Sequence, residues 1–190
     1  MGLSNKDRTL LLRVARQSIE AGLEGRPVPR RADLPAALRE RAGAFVTLHL
    51  QHALRGCIGY IEPRFPLYEA VEEVAQKAAF DDPRFPPLIR EELEQVEIEI
   101  SVLSPLHKIG SVEEIEIGKH GLVIEAGYAR GLLLPQVATE YGWGKEQFLT
   151  QTCRKAGLPG DSWKRSHVNI FVFQCDVFSE AETSSHSKGE

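Results

Sequence analysis

Near the middle of the chain, Val96-Glu97-Ile98-Glu99-Ile100-Ser101-Val102-Leu103 alternates apolar and polar side chains almost to its end. Successive side chains of a strand point to opposite faces, so Val96, Ile98, Ile100 and Val102 share one face and Glu97, Glu99 and Ser101 the other. Such a strand suits a sheet with one covered face. Segments with helical spacing surround it. Residues 6–22, capped by Ser4 or Asn5, carry Leu10, Leu11, Val14, Ala15 and Ile19 on one stripe, and residues 67–80 follow Pro66 with Leu67, Val71, Val74 and Ala78 inward. A short helix is expected over 35–41 and a longer one over 146–156. Strands are expected over 44–50 and 54–61, joined at Gln51-His52, and residues 115–117 and 122–124 read as a hairpin around Gly118–Gly121. Residues 168–178 read as one last strand. Helices and hairpins interleave irregularly, which indicates an α+β fold with a mixed or antiparallel sheet and flanking helices, not a doubly wound one.

At 190 residues, with 42% hydrophobic and 26% charged side chains, the chain has the make-up of a soluble globular protein. Its length fits one domain over residues 1–180, of one or two lobes, with a Ser- and Glu-rich tail over 181–190 expected to be disordered. No apolar run is long enough to span a bilayer, and a membrane partner is not expected. Three widely spaced cysteines, Cys57, Cys153 and Cys175, form no C-x-x-C pair, so a cytoplasmic, reducing setting is expected, without a disulfide framework. The net charge of −4 makes nucleic acid an unlikely partner.

Chemistry concentrates in Leu54-Arg55-Gly56-Cys57-Ile58-Gly59-Tyr60. Strict alternation turns Leu54, Ile58 and Tyr60 towards a core and puts Arg55 and Cys57 together on the other face. An arginine beside a cysteine favours the nucleophilic thiolate. The guanidinium also suits a carboxylate or phosphate, so Arg55 is a candidate anion holder and Cys57 a candidate catalytic thiol. Gly56 and Gly59 mark a bulge or a close approach by a ligand or another backbone. The proline-rich loop Asp81-Asp82-Pro83-Arg84-Phe85-Pro86-Pro87 is a candidate site wall that supplies Arg84. Glu99 is expected to reach Arg55 if its strand pairs nearby, and Glu99, Lys119 and His120 are candidates for ligand contact or proton handling. A Cys57–histidine dyad needs tertiary approach by His49 or His120. Nucleotide-loop, nucleophile-elbow and H-E-x-x-H motifs are missing, no spacing points to a metal site, and the sequence leaves the cofactor unknown.

Taken together, these stretches resemble the AMMECR family, named for the Alport, midface hypoplasia and elliptocytosis chromosomal region. The resemblance runs through residues 43–48, the complete Leu-Arg-Gly-Cys-Ile-Gly signature at 54–59, and residues 79–85, 96–105 and 117–122. It continues over residues 131–137 and 153–159 with Trp163. The resemblance is to a prokaryotic member, similar to protein A of the AmmeMemoRadiSam system, a gene set with Memo-like and radical-SAM components. It implies an α+β fold with a larger and a smaller lobe and a cleft near the signature. It implies no agreed activity.

Two functional expectations follow. One is an enzyme or enzyme component acting on a small anionic or nucleoside-like molecule at Leu54–Tyr60. The other is a non-catalytic adaptor that docks a Memo-like or radical-SAM partner through its signature face, with Phe85, Trp143 and Trp163 as aromatic anchors.

Overall fold

The alternating segment is realised as β3 (Val96–Leu103), an inner strand of an antiparallel sheet. The computed structural model describes residues 2–29, 31 and 33–182. The chain divides into two units. The first runs up to Leu103 and resumes at Asp176, and the second is Ser104–Cys175.

In the first unit β1 (Ala44–Leu50), β2 (Ala53–Tyr60), β3 and β8 (Cys175–Ser179) form a sheet of order β2-β1-β3-β8. Ala44, Val46 and Leu48 of β1 and Ile98, Ile100 and Val102 of β3 are buried on one face. That face packs on α1 (Asn5–Leu23) and α3 (Leu67–Phe80), whose Leu11, Val14, Ile19, Val71, Val74 and Ala78 complete the core. Ser4 caps α1 in a reciprocal box: its hydroxyl accepts from the Asp7 amide at 3.2 Å, and the Asp7 carboxylate accepts from the Ser4 amide at 2.9 Å. Where the two helices touch, the buried Ser18 hydroxyl donates to the Glu72 carbonyl at 2.7 Å. Two short helices, α2 (Ala36–Arg39) and α4 (Arg90–Leu93), precede β1 and β3.

The second unit has its own sheet, of order β4-β7-β5-β6, from β4 (His107–Lys108), β5 (Gly121–Ala126), β6 (Ala129–Leu133) and β7 (Asn169–Phe173). Leu122, Ile124 and Val172 pack there on α5 (Pro135–Glu140) and α6 (Lys145–Lys155) through Ala138, Phe148, Leu149 and Cys153. The α+β class therefore holds.

Several elements differ from the sequence reading. Residues 115–117 form no strand: Val112–Glu114 is a 3-10 turn, and Ile115 is only 1% exposed, spent on the core. The hairpin falls one step later, between β5 and β6. The expected single strand over 168–178 breaks at Gln174 into β7 and β8, which join different sheets. Ser104 brackets the break, donating its amide to the Gln174 carbonyl and accepting the Gln174 amide on its hydroxyl, both at 2.9 Å. Of the expected tail, Ala181 and Glu182 are helical, and residues 183–190 lie outside the described residues. Among the described residues, no helix is long and apolar enough to cross a membrane.

The β1–β2 hairpin does turn on Gln51 and His52, with φ of 52° and 66°. Two-residue hairpin turns favour Asn-Gly because both central residues need this left-handed backbone, which costs other side chains about 1 kcal/mol each. Replacing Gln51-His52 by Asn-Gly is expected to raise unfolding stability by about 1 kcal/mol in urea titrations, with an unchanged denaturant slope.

Candidate functional site

The register of β2 against β1 sets the signature's geometry. Leu48 pairs with Gly56 and His49 with Leu54, which leaves Arg55 as the extra residue of a β-bulge. The bulge breaks strict alternation. Leu54 pairs with His49, a residue of the face opposite the core, and is 41% exposed, contrary to the inward placement read from the sequence. Ile58 and Tyr60 lie beyond the bulge and pack against the core as expected.

Gly56 faces α3. A Cβ there would stand 2.1 Å from the Ala78 carbonyl oxygen, so β2 can lie against this helix only with glycine. Gly59 faces the other side, beneath the Phe45 ring of β1, 2.2 Å from where its Cβ would be. Both glycines therefore permit a close approach within the protein.

Arg55 is 8% exposed and turns towards α4, where its Nε and Nη2 donate to the two Glu92 oxygens at 2.9 and 2.8 Å. This pair holds the Glu92 carboxyl below the usual range. The expected Glu99 partner is thus replaced by Glu92. Glu99 pairs in register with Thr47, and Thr47 with Cys57, so Cys57, Thr47 and Glu99 form a row across three strands. The Thr47 hydroxyl donates to Cys57 Sγ at 3.4 Å.

The arginine beside Cys57 is Arg84. Cys57 lies on an edge strand, and its backbone groups are taken up by the proline-rich loop. Its amide donates to Asp82 Oδ2 at 2.8 Å, and its carbonyl accepts from Arg84 Nη2 at 3.2 Å. These are the groups that a further strand would have satisfied. Asp82 is only 4% exposed and also binds Arg84 through Nε at 2.9 Å, Nη2 at 2.7 Å and the backbone amide at 3.1 Å. Arg84, first of all, holds the Asp82 carboxyl far below its ordinary range, with help from the two backbone amides. Arg84 is raised in turn, chiefly by Asp82 and to a smaller degree by the Cys57 sulphur. Its side chain remains 54% exposed, lies over the Phe85 ring, and has no protein partner at Nη1 among the described residues.

The structure thus brings Cys57, Arg84 and the Glu99 row into the first unit, with Gly56 and Gly59 framing the strand. Lys119 and His120 belong to the second unit, where Lys119 pairs with Glu116 at 2.9 Å and His120 Nδ1 accepts the Glu116 amide at 3.2 Å. Among the described residues no histidine is hydrogen-bonded to Cys57, and no group of three or more His, Cys, Asp or Glu is placed to hold a metal ion. Burial raises the other two thiols, Cys153 and Cys175, the latter to about 12. Glu92 and Thr47 are the residues that sequence reasoning passed over, and Asp82 was read only as one polar group of the proline-rich loop. Asp82 carried a weak signal, an acid two residues before an arginine in a stiff loop.

Comparison with known proteins gives a family match named AMMECR1 over residues 12–178. A protein of Methanothermobacter thermautotrophicus is 47% identical, over 94% of this chain and 96% of its own. Protein MJ0810 of Methanocaldococcus jannaschii is 45% identical, over 95% and 93%. The crystal structure of the uncharacterised protein PH0010 from Pyrococcus horikoshii superposes with a TM-score of 0.84 at 43% identity, over 90% of each chain.

The Asp82 pair carries a pH signature. A depressed carboxyl stabilises the fold fully above its ordinary value of 3.8, and that contribution is lost as pH falls below 3.8 towards the folded value. Asp82→Asn is expected to lose about 2 kcal/mol of unfolding stability at pH 7, with the gap to wild type closing below about pH 4 in urea titrations. A constant gap would contradict the assignment.

Proposed function

The chain belongs to the AMMECR1 family, and on that premise we propose that the face carrying Cys57 is a small-molecule site. Arg84 anchors an anionic group there, and the Cys57 thiol is the reactive group of an enzyme or enzyme component. The observation that carries this reading is the half-exposed guanidinium of Arg84, bound to the Cys57 carbonyl at 3.2 Å and fixed by the buried Asp82. With Nε and Nη2 bound to Asp82, Nη1 keeps its donors for a carboxylate or phosphate. The arginine is already oriented, so a ligand does not have to order it. The Thr47 hydroxyl supplies a further polar contact next to the sulphur. Arg55, spent on Glu92 and nearly buried, supports this site by fixing the bulge and α4.

A second reading, an adaptor that docks a Memo-like or radical-SAM protein, is favoured by one feature. Leu54, next to Arg55 in the chain, and Ile89, whose amide donates to Glu92 at 3.1 Å, are 41% and 55% exposed. Large exposed apolar side chains around an edge strand suit a protein partner.

The two readings separate on thiol chemistry. With Cys153 and Cys175 replaced by serine, Cys57 is expected to react with iodoacetate faster at neutral pH than with uncharged iodoacetamide, relative to a free thiol. Arg84→Ala should remove that preference by about tenfold, and inorganic phosphate should protect the wild type. Slow alkylation that ignores both the reagent's charge and Arg84 would contradict the small-molecule reading and leave the adaptor.

A further inference from the structure

The second unit contains a cavity of about 230 Å³ lined by its own residues. Part of its lining is apolar: Ile109, Val172 and Phe173 are 8%, 5% and 2% exposed. Phe173 pairs in register with Gly121, and its ring occupies the space of the missing Cβ, 2.2 Å from that position. Gly121 thereby lets the ring settle on β5, directly after His120.

Two polar groups at the wall are fixed by the protein and keep a free end. His120 Nδ1 accepts the Glu116 amide at 3.2 Å, which leaves Nε2 as the ring's N–H donor. Glu114 Oε1 accepts the Gly110 and Ser111 amides, both at 2.9 Å, and Oε2 has no partner among the described residues. Those amides hold the Glu114 carboxyl below the usual range, with a contribution from His107, so it is ionised at neutral pH. Gln174, on the same wall, can donate or accept.

An ionised acceptor disfavours an anion. Among the described residues, no cluster here is placed for a metal ion. An apolar lining that includes the Phe173 ring, with one fixed acceptor and one fixed donor, suits an aromatic ring that carries both kinds of group, and the volume limits it to one or two fused rings. We propose that this cavity binds a small planar nitrogen heterocycle bearing an amino group or ring N–H, with its donor edge on Glu114 Oε2 and a ring acceptor on the Nε2–H of His120. The site is independent of the Cys57 reading, and neither depends on the other.

The test is a titration of the full ¹⁵N-labelled chain with 2-aminobenzimidazole, followed by amide chemical shifts, with 1-methylindole as a ring of like size lacking those polar edges. Saturable shifts at Ile109, His120, Val172 and Phe173 are expected, with a Kd below about 1 mM. Binding should weaken about tenfold or more in Glu114→Gln, which keeps an oxygen for the two backbone amides, and in His120→Ala. The wild type should prefer 2-aminobenzimidazole to 1-methylindole by a similar factor, a comparison that needs no variant to fold. The absence of saturation, shifts that map outside the cavity, equal binding of the two rings, or variants that bind like wild type would each overturn the proposal.

Discussion

A carboxylate buried to 4% exposure at the edge of a sheet needs partners, and Asp82 has four donors from two residues. An unpaired charge there would be costly, so the loop, the edge strand and Arg84 are constrained together. The Cys57 amide supplies one donor, which ties β2 to the loop. Arg84 supplies the other three, and the same guanidinium reaches back to the Cys57 carbonyl. One ion pair therefore closes the free edge of the sheet at the cysteine, as a neighbouring strand would. That arrangement puts a cation beside a thiol as a by-product of satisfying backbone hydrogen bonds.

The rest of the signature is shaped by how little room surrounds β2. On the core side the strand meets the backbone of α3 at Ala78, which only Gly56 permits. On the other side the Phe45 ring covers Gly59. The bulge at Arg55 turns its guanidinium away from Cys57 and onto Glu92. The arginine adjacent in sequence thus stabilises the frame, and the arginine from the distant loop is available to a ligand.

Much of the fold could be read from periodicity, because α1 and α3 each bury one face, β3 alternates over Val96–Ile100 before burying both faces, and the patterns record it. The β1–β2 hairpin was legible from its two apolar runs despite an unfavoured turn. The bulge was not, since one extra residue leaves no mark in composition and becomes visible only when two strands are set side by side. The change of sheet at Gln174 was hidden for a related reason: two apolar strands in succession look like one long strand, and only the Ser104 bracket separates them. Residues 115–117 show the reverse error, apolar side chains spent on packing in place of pairing. At the site, Cys57 and Arg84 were legible as reactive residue types, but their pairing was not. It runs through Asp82, a residue that in sequence looks like ordinary loop polarity and whose burial arises only from tertiary structure.

Asp82 thus stands in for a missing strand at Cys57. Amide hydrogen exchange at Cys57 tests it most directly, comparing wild type with Asp82→Ala under native conditions. The wild-type Cys57 amide should be protected as well as inner-strand amides of β1. In the variant it should exchange at least about a hundredfold faster, while Val46 and Ile98 keep their protection. If Cys57 exchanges equally in both proteins, its amide does not depend on Asp82, and the account of the site fails.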